Sequence, residues 1–140
     1  MKIFSIRNDF SVSDLSDEED ASIVVDKINI ESNPDVQLNL SGCLIDYPAT
    51  SKLVDNILDQ LALLPGKKYL EIVTDFNLPK QTVMNWLFLG SRRLDMESKK
   101  GLSYDDLIKT IQYALLSLDI SLRILIIDNT GNKLHEVAIP

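Results

Sequence analysis

Asp46, Tyr47, Thr50 and Ser51 stand together in the stretch GCLIDYPATS, where an alternating apolar pattern gives way to a helical one. A carboxylate, a phenol and two hydroxyls at the start of a helix make a polar surface suited to hydrogen bonding with a partner. The same groups also serve as ordinary helix caps, because a short carboxylate or hydroxyl accepts from the open N–H groups of the first turn. Other residue types with chemical potential are scattered. Cys43 is the single cysteine, and with no base beside it in sequence it reads as a small buried thiol rather than a nucleophile. His135 is the single histidine, which excludes a multi-histidine metal site. Asp14, Asp17, Glu18, Glu19 and Asp20 form an acidic run without the spaced ligands and central glycine of a calcium loop, so they read as a solvated loop favouring a following helix start. Arg92, Arg93, Lys99 and Lys100 gather cations in one connector, but Asp95 and Glu97 dilute their field. No glycine-rich phosphate loop, zinc spacing or nucleophile elbow occurs. The chain is therefore expected to be neither an enzyme nor a cofactor or metal carrier.

The elements that position these residues follow from periodicity. Val36, Leu38 and Leu40 alternate with Gln37, Asn39 and Ser41, the period of a strand with one buried face. Gly42 permits a turn, and Pro48 suits the first turn of a helix. Leu53, Val54, Ile57, Leu58, Leu61 and Leu64 then form one apolar stripe, with Lys52, Asp55, Asn56, Asp59 and Gln60 on the other side. Pro65 and Gly66 end this helix, and residues 68–74 (KYLEIVT) return as a second strand, completing a βαβ unit. In a parallel sheet the binding crevice lies at the carboxyl ends of the strands. Asp46, Tyr47, Thr50 and Ser51 are expected to meet Asp75, Phe76 and Asn77 there, with Tyr47 and Thr50 exposed.

The remaining pattern supplies a strand over residues 2–7, a helix started by Pro79, and a second amphipathic helix opened by Ser103 and Asp106. A closing hairpin follows, built from residues 123–128 and 133–139 around the NTGN turn. Residues 18–29 read as a helix with Ala21, Val24, Val25 and Ile28 on one face, while the β-branched content of residues 22–30 keeps a strand open. The expected fold class is α/β: a mixed, largely parallel sheet with packed helices and a C-terminal antiparallel β-hairpin, in a single domain spanning 1–140. Leu40, Ile57, Leu61, Ile72, Trp86, Leu115 and Ile126 are expected in the core.

Composition narrows the function classes. A formal charge of −7 and a pI near 4.6 argue against nucleic acid and against an anionic membrane surface, and favour a basic partner if charge decides. One cysteine gives no internal disulfide, the opening MKIFSIRNDF is too short and polar for a signal peptide, and no run reaches a membrane span. A cytoplasmic location is expected.

The stretch VQLNLSGCLIDYPATSKLVDNILDQL resembles the strand, loop and helix of STAS-like domains, the family that includes anti-sigma factor antagonists. More narrowly, it resembles a bacterial STAS-like family of unknown function that tends to be encoded beside histidine-kinase-type ATPases. Ser41 and Gly42 match the Ser-Gly pair that closes the strand, and Thr50 and Ser51 approximate the hydroxyl position. Tyr47, Pro48 and Ala49 depart from the pattern, which carries Ser or Thr followed by an aromatic residue there. The resemblance implies a STAS-like fold and a non-catalytic regulatory module that docks an ATPase or kinase-like partner through Asp46, Tyr47, Thr50 and Ser51. Thr50 and Ser51 become candidate phosphoacceptors, a phosphate there being favoured by the helix dipole and opposed by Asp46. The alternative is an acidic immunity or inhibitor protein that neutralises a basic toxin.

Overall fold

A computed structural model describes residues 1–6, 11–14, 22–24, 28–42, 47–94 and 101–139, with the backbone alone described at 11–14, 22–24 and 47–49. Among them the chain forms an α/β fold of seven strands and three helices. The strands are β1 (Lys2–Ile6), β2 (Ser11–Asp14), β3 (Ser22–Val24), β4 (Asp35–Asn39), β5 (Lys68–Thr74), β6 (Ile120–Ile127) and β7 (Lys133–Ile139). The helices are α1 (Tyr47–Ala62), α2 (Lys80–Phe88) and α3 (Tyr104–Leu116). The sheet order is β3-β2-β1-β4-β5-β6-β7. β1, β4, β5 and β6 run parallel, and β2 with β3 at one end and β7 at the other are antiparallel.

The helix expected over residues 18–29 is corrected by strand β3 at Ser22–Val24, which pairs antiparallel with β2. β-branched Ile23 and Val24 favour the pleated surface, and pairing with β2 supplies the hydrogen bonds that a local helix would have closed.

Register places every buried apolar residue of β1, β4, β5, β6 and β7 on one face of the sheet. Phe4, Leu38, Ile72 and Ile124 are neighbours across β1, β4, β5 and β6, and Val137 continues the row on β7. The helix stripes belong to the same cluster: Leu53, Val54, Ile57, Leu58 and Leu61 from α1, Val83, Met84, Leu87 and Phe88 from α2, and Leu107, Ile111 and Leu115 from α3. All three helices therefore cover the same face. Trp86, expected in the core, is half-buried at its edge, with its ring tilted against Phe76 at 5.8 Å between centroids.

Polar contacts tie this layer together. Gln60 on α1 accepts a hydrogen bond from the Ile30 N–H at 2.9 Å and donates to the Ile28 carbonyl at 2.6 Å, anchoring the approach to β4. Asp55, five residues earlier on the same helix, accepts from the Ser91 hydroxyl and from the Arg92 and Arg93 N–H groups at 3.2 and 3.0 Å. The turn after α2 is thus pinned to α1. Ser103 caps α3 by accepting from the Asp106 N–H at 3.2 Å.

Candidate functional site

The carboxyl ends of β4 and β5 do come together. Asp75, just beyond β5, accepts a hydrogen bond from the Gly42 N–H at 2.9 Å, so one carboxylate bridges the turn after β4 and the loop after β5. Gly42 has φ +76°, a left-handed conformation that glycine adopts without a Cβ penalty and that aims its N–H across the gap. The Asn39 side chain accepts from the Ser41 N–H at 2.9 Å, and the Thr74 hydroxyl accepts from the Phe76 N–H at 3.0 Å. Each strand therefore ends in a side-chain-stabilised turn rather than a slack loop. Ser41, Gly42, Asn77, Leu78 and Pro79 are exposed around the bridge, with Leu78 38% exposed.

The expected site residues divide around this surface. Asp46 and Cys43 lie outside the described residues, and of Tyr47 only its backbone place at the start of α1 is described. Thr50 overturns the expectation of an exposed hydroxyl, being 0% exposed, and Ser51, the other hydroxyl expected to contact a partner, is 1% exposed. The cause is helical phase: Thr50 precedes Val54 and Ile57 by four and seven residues, and Ser51 precedes Leu58 by seven, so both continue the buried stripe. Among the described residues Ser51 Oγ has no hydrogen-bond partner. Neither hydroxyl is presented to a docking protein or a kinase in this conformation.

The cationic connector is answered by acids from α1. Arg93 lies 3.7 Å from Asp59, next to the Asp55 contacts described above, while Asp95, Glu97, Lys99 and Lys100 lie outside the described residues. The acidic run near the N-terminus also falls outside them, apart from the backbone of Asp14. Among the described residues no group of three or more His, Cys, Asp or Glu side chains converges as a metal set. No helix among them is long and apolar enough to cross a membrane.

A second polar array, missed from sequence, lies on the sheet face opposite the helices. Glu71 on β5 accepts from Gln37 at 2.6 Å and from the Tyr69 hydroxyl at 2.7 Å, and its carboxylate is 4.0 Å from Arg123 on β6. Arg123 donates through Nε to Glu136 on β7 at 2.6 Å, and Lys133 reaches Glu136 at 2.9 Å. Burial, and then the Glu71 carboxylate, raise the Tyr69 phenol above its ordinary range. Hydrogen bonds from Lys133 and Arg123 hold Glu136 below the usual carboxylate range. The signal for this array was the alternation itself: Gln37, Tyr69, Glu71, Arg123 and Glu136 occupy the positions between core residues, and only the register aligns them.

No family model, curated protein or solved structure matches the chain.

Proposed function

We propose that the chain is a non-catalytic, STAS-like regulatory module that docks an ATPase or kinase-like protein at the carboxyl ends of β4 and β5. The observation that carries this reading is the Asp75–Gly42 bridge. It joins two connections into one rigid, exposed surface, and a preorganised surface loses less conformational entropy when a partner binds. The contact set is Ser41, Gly42, Asn77 and Leu78, with the start of α1 beside it. An exposed leucine among turn backbone groups offers an apolar anchor with a polar rim, the usual anatomy of a docking patch. The choice of partner rests on the sequence resemblance.

The test is affinity capture from the source cells with the intact chain, run beside Leu78→Arg and Asp75→Ala variants. Recovery of an ATPase that is lost with Leu78→Arg and weakened with Asp75→Ala supports the reading. Equal recovery by all three moves the site elsewhere. Capture of a small basic nuclease instead favours the immunity alternative. Thr50 and Ser51 are expected to be unmodified in the captured material, because both are buried.

A further inference from the structure

Parallel strands are normally covered on both faces, because helical crossovers bury them. Here all three helices lie on one face. Ile3, Val73, Leu125 and Ile127 point to the other face, are half-buried, and stand outside the core cluster. Among the described residues no helix covers them. Val73 and Leu125 are direct neighbours across β5 and β6, and Ile127 extends the patch along β6. Beside this patch lie the Arg123–Glu136 and Lys133–Glu136 pairs and the Glu71 carboxylate. An apolar patch with paired charges along its margin has the composition of a recognition surface.

Charge selects the occupant. The chain carries −7, so two copies repel over most of their surfaces. On this patch Arg123 and Lys133 offset Glu71 and Glu136, and the repulsion is locally removed. The layout is also self-complementary. Arg123 is opposite Ala138, and Leu125 is opposite Glu136, in adjacent rows of the β6–β7 ladder. Arg123 and Glu136 thus occupy one diagonal of a rectangle whose other diagonal is Leu125 and Ala138.

We infer that this open sheet face binds a second copy of the chain, through a two-fold axis lying over the Leu125–Ala138 diagonal. The axis sets Arg123 over Glu136 of the partner subunit and the reverse, and it sets Leu125 against the partner's Leu125. With strands about 4.8 Å apart and about 6.8 Å per two residues, Val73 then meets the partner's Ile127. The same operation crosses the two sets of strands at about 70°, nearer the orthogonal than the aligned class of sheet-on-sheet packing. Apolar residues meet apolar residues, each cation meets an anion, and both copies use the same patch, as an isologous contact requires. This goes beyond the docking function proposed above and uses a different surface.

Sedimentation equilibrium of the full chain tests it, with thermal melts to verify folding. The wild type is expected to show a monomer–dimer equilibrium. Arg123→Glu and Glu136→Arg each set like charges across the axis, and each is expected to raise the dimer dissociation constant at least about tenfold. Mixed one to one, the two variants restore opposite charges at both contacts and form a heterodimer, an outcome that repair of the pair within one chain cannot produce. As a check that does not depend on charge reversal, Leu125→Cys with Cys43→Ser is expected to give a cross-linked dimer with a short bis-maleimide, since Leu125 lies on the axis and facing sheets pack about 10 Å apart, beyond the reach of a direct disulfide. The inference is overturned by a wild type that stays monomeric at every concentration, by single variants that keep the wild-type dimer, by a mixture that remains monomeric, or by a Leu125→Cys chain that does not cross-link.

Discussion

The two faces of the sheet are built from the same strands with alternate residues, and they solve different problems. On the covered face Leu38, Ile72 and Ile124 line up across three strands and are fully buried under the helices. On the open face the intervening rows hold Gln37, Glu71 and Arg123, linked by a hydrogen bond and an ion pair, then Asn39, Val73 and Leu125, all at partial exposure. Burial of apolar area drives folding on the first face. The second face contributes less to folding, because paired groups near water gain little over their hydrated state. The comparison teaches that a strand's alternation can carry a core and a recognition surface together, and substitutions at adjacent residues separate the two.

The largest effect is expected in the core. Ile72→Ala should cost about 3 kcal/mol in chemical denaturation, because Ile72 is fully buried between β4 and β6 under the helices. Its neighbour Val73→Ala should cost below about 1 kcal/mol when measured on the monomer. Equal losses at the two positions would erase the distinction between the faces. Asp55→Ala should follow at about 2 kcal/mol, since it strands the fully buried Ser91 hydroxyl and two backbone N–H groups and frees the turn after α2 from α1. A loss near zero would mean that water replaces those contacts.

Much of this layered arrangement was legible in the sequence. The KYLEIVT run is the strand Lys68–Thr74, the stripe from Leu53 to Leu61 is the buried side of α1, and Ser103 does cap α3. What escaped depends on tertiary pairing or on phase. β2 and β3 are short, and they acquire strand geometry by pairing with β1 and with each other. Thr50 and Ser51 were read by residue type, as polar groups at a helix start, when their spacing to Val54, Ile57 and Leu58 already put them inside. The Asp75–Gly42 bridge joins residues 33 apart, and the Glu71–Arg123 contact depends on a register that no local pattern encodes.

Titration should distinguish the faces more gently. Tyr69 on the open face should titrate above an ordinary tyrosine, followed by ultraviolet absorbance. Glu71→Gln should lower its value only in part, because burial is the larger cause. With the folded value above the unfolded one, this contribution to stability is complete below the unfolded tyrosine range and is lost as pH rises through the folded value. The carboxylates behave oppositely. The Thr130 hydroxyl, then the Asn132 N–H, hold Asp128 below its ordinary value, and Glu136 is lowered by Lys133 and Arg123. Their contributions are present above the unfolded carboxylate range and are lost as pH falls through the folded values, so the acid limb of a melting-temperature profile should flatten in Asp128→Asn and Glu136→Gln. A Tyr69 value at or below the ordinary range, or an unchanged acid limb, would contradict the contacts assigned here.

The smallest effect is expected at Ser51. Its hydroxyl is buried without a hydrogen-bond partner among the described residues, so Ser51→Ala should leave stability unchanged or raise it by up to about 1 kcal/mol. Destabilisation beyond that range would show that the hydroxyl is engaged in solution.

The division of labour between the faces is tested most directly by Leu125→Glu, with molar mass by light scattering and the thermal midpoint measured on the same sample. Leu125 is half-buried on the open face and outside the core cluster. With unfolding monitored at a concentration where the wild type is monomeric, the variant is expected to melt within a few degrees of it, since a surface change within about 0.5 kcal/mol moves the midpoint only slightly. At high concentration it is expected to remain monomeric where the wild type dimerises. A collapse of the melting transition, or a dimer that persists with glutamate at the two-fold axis, would contradict the account.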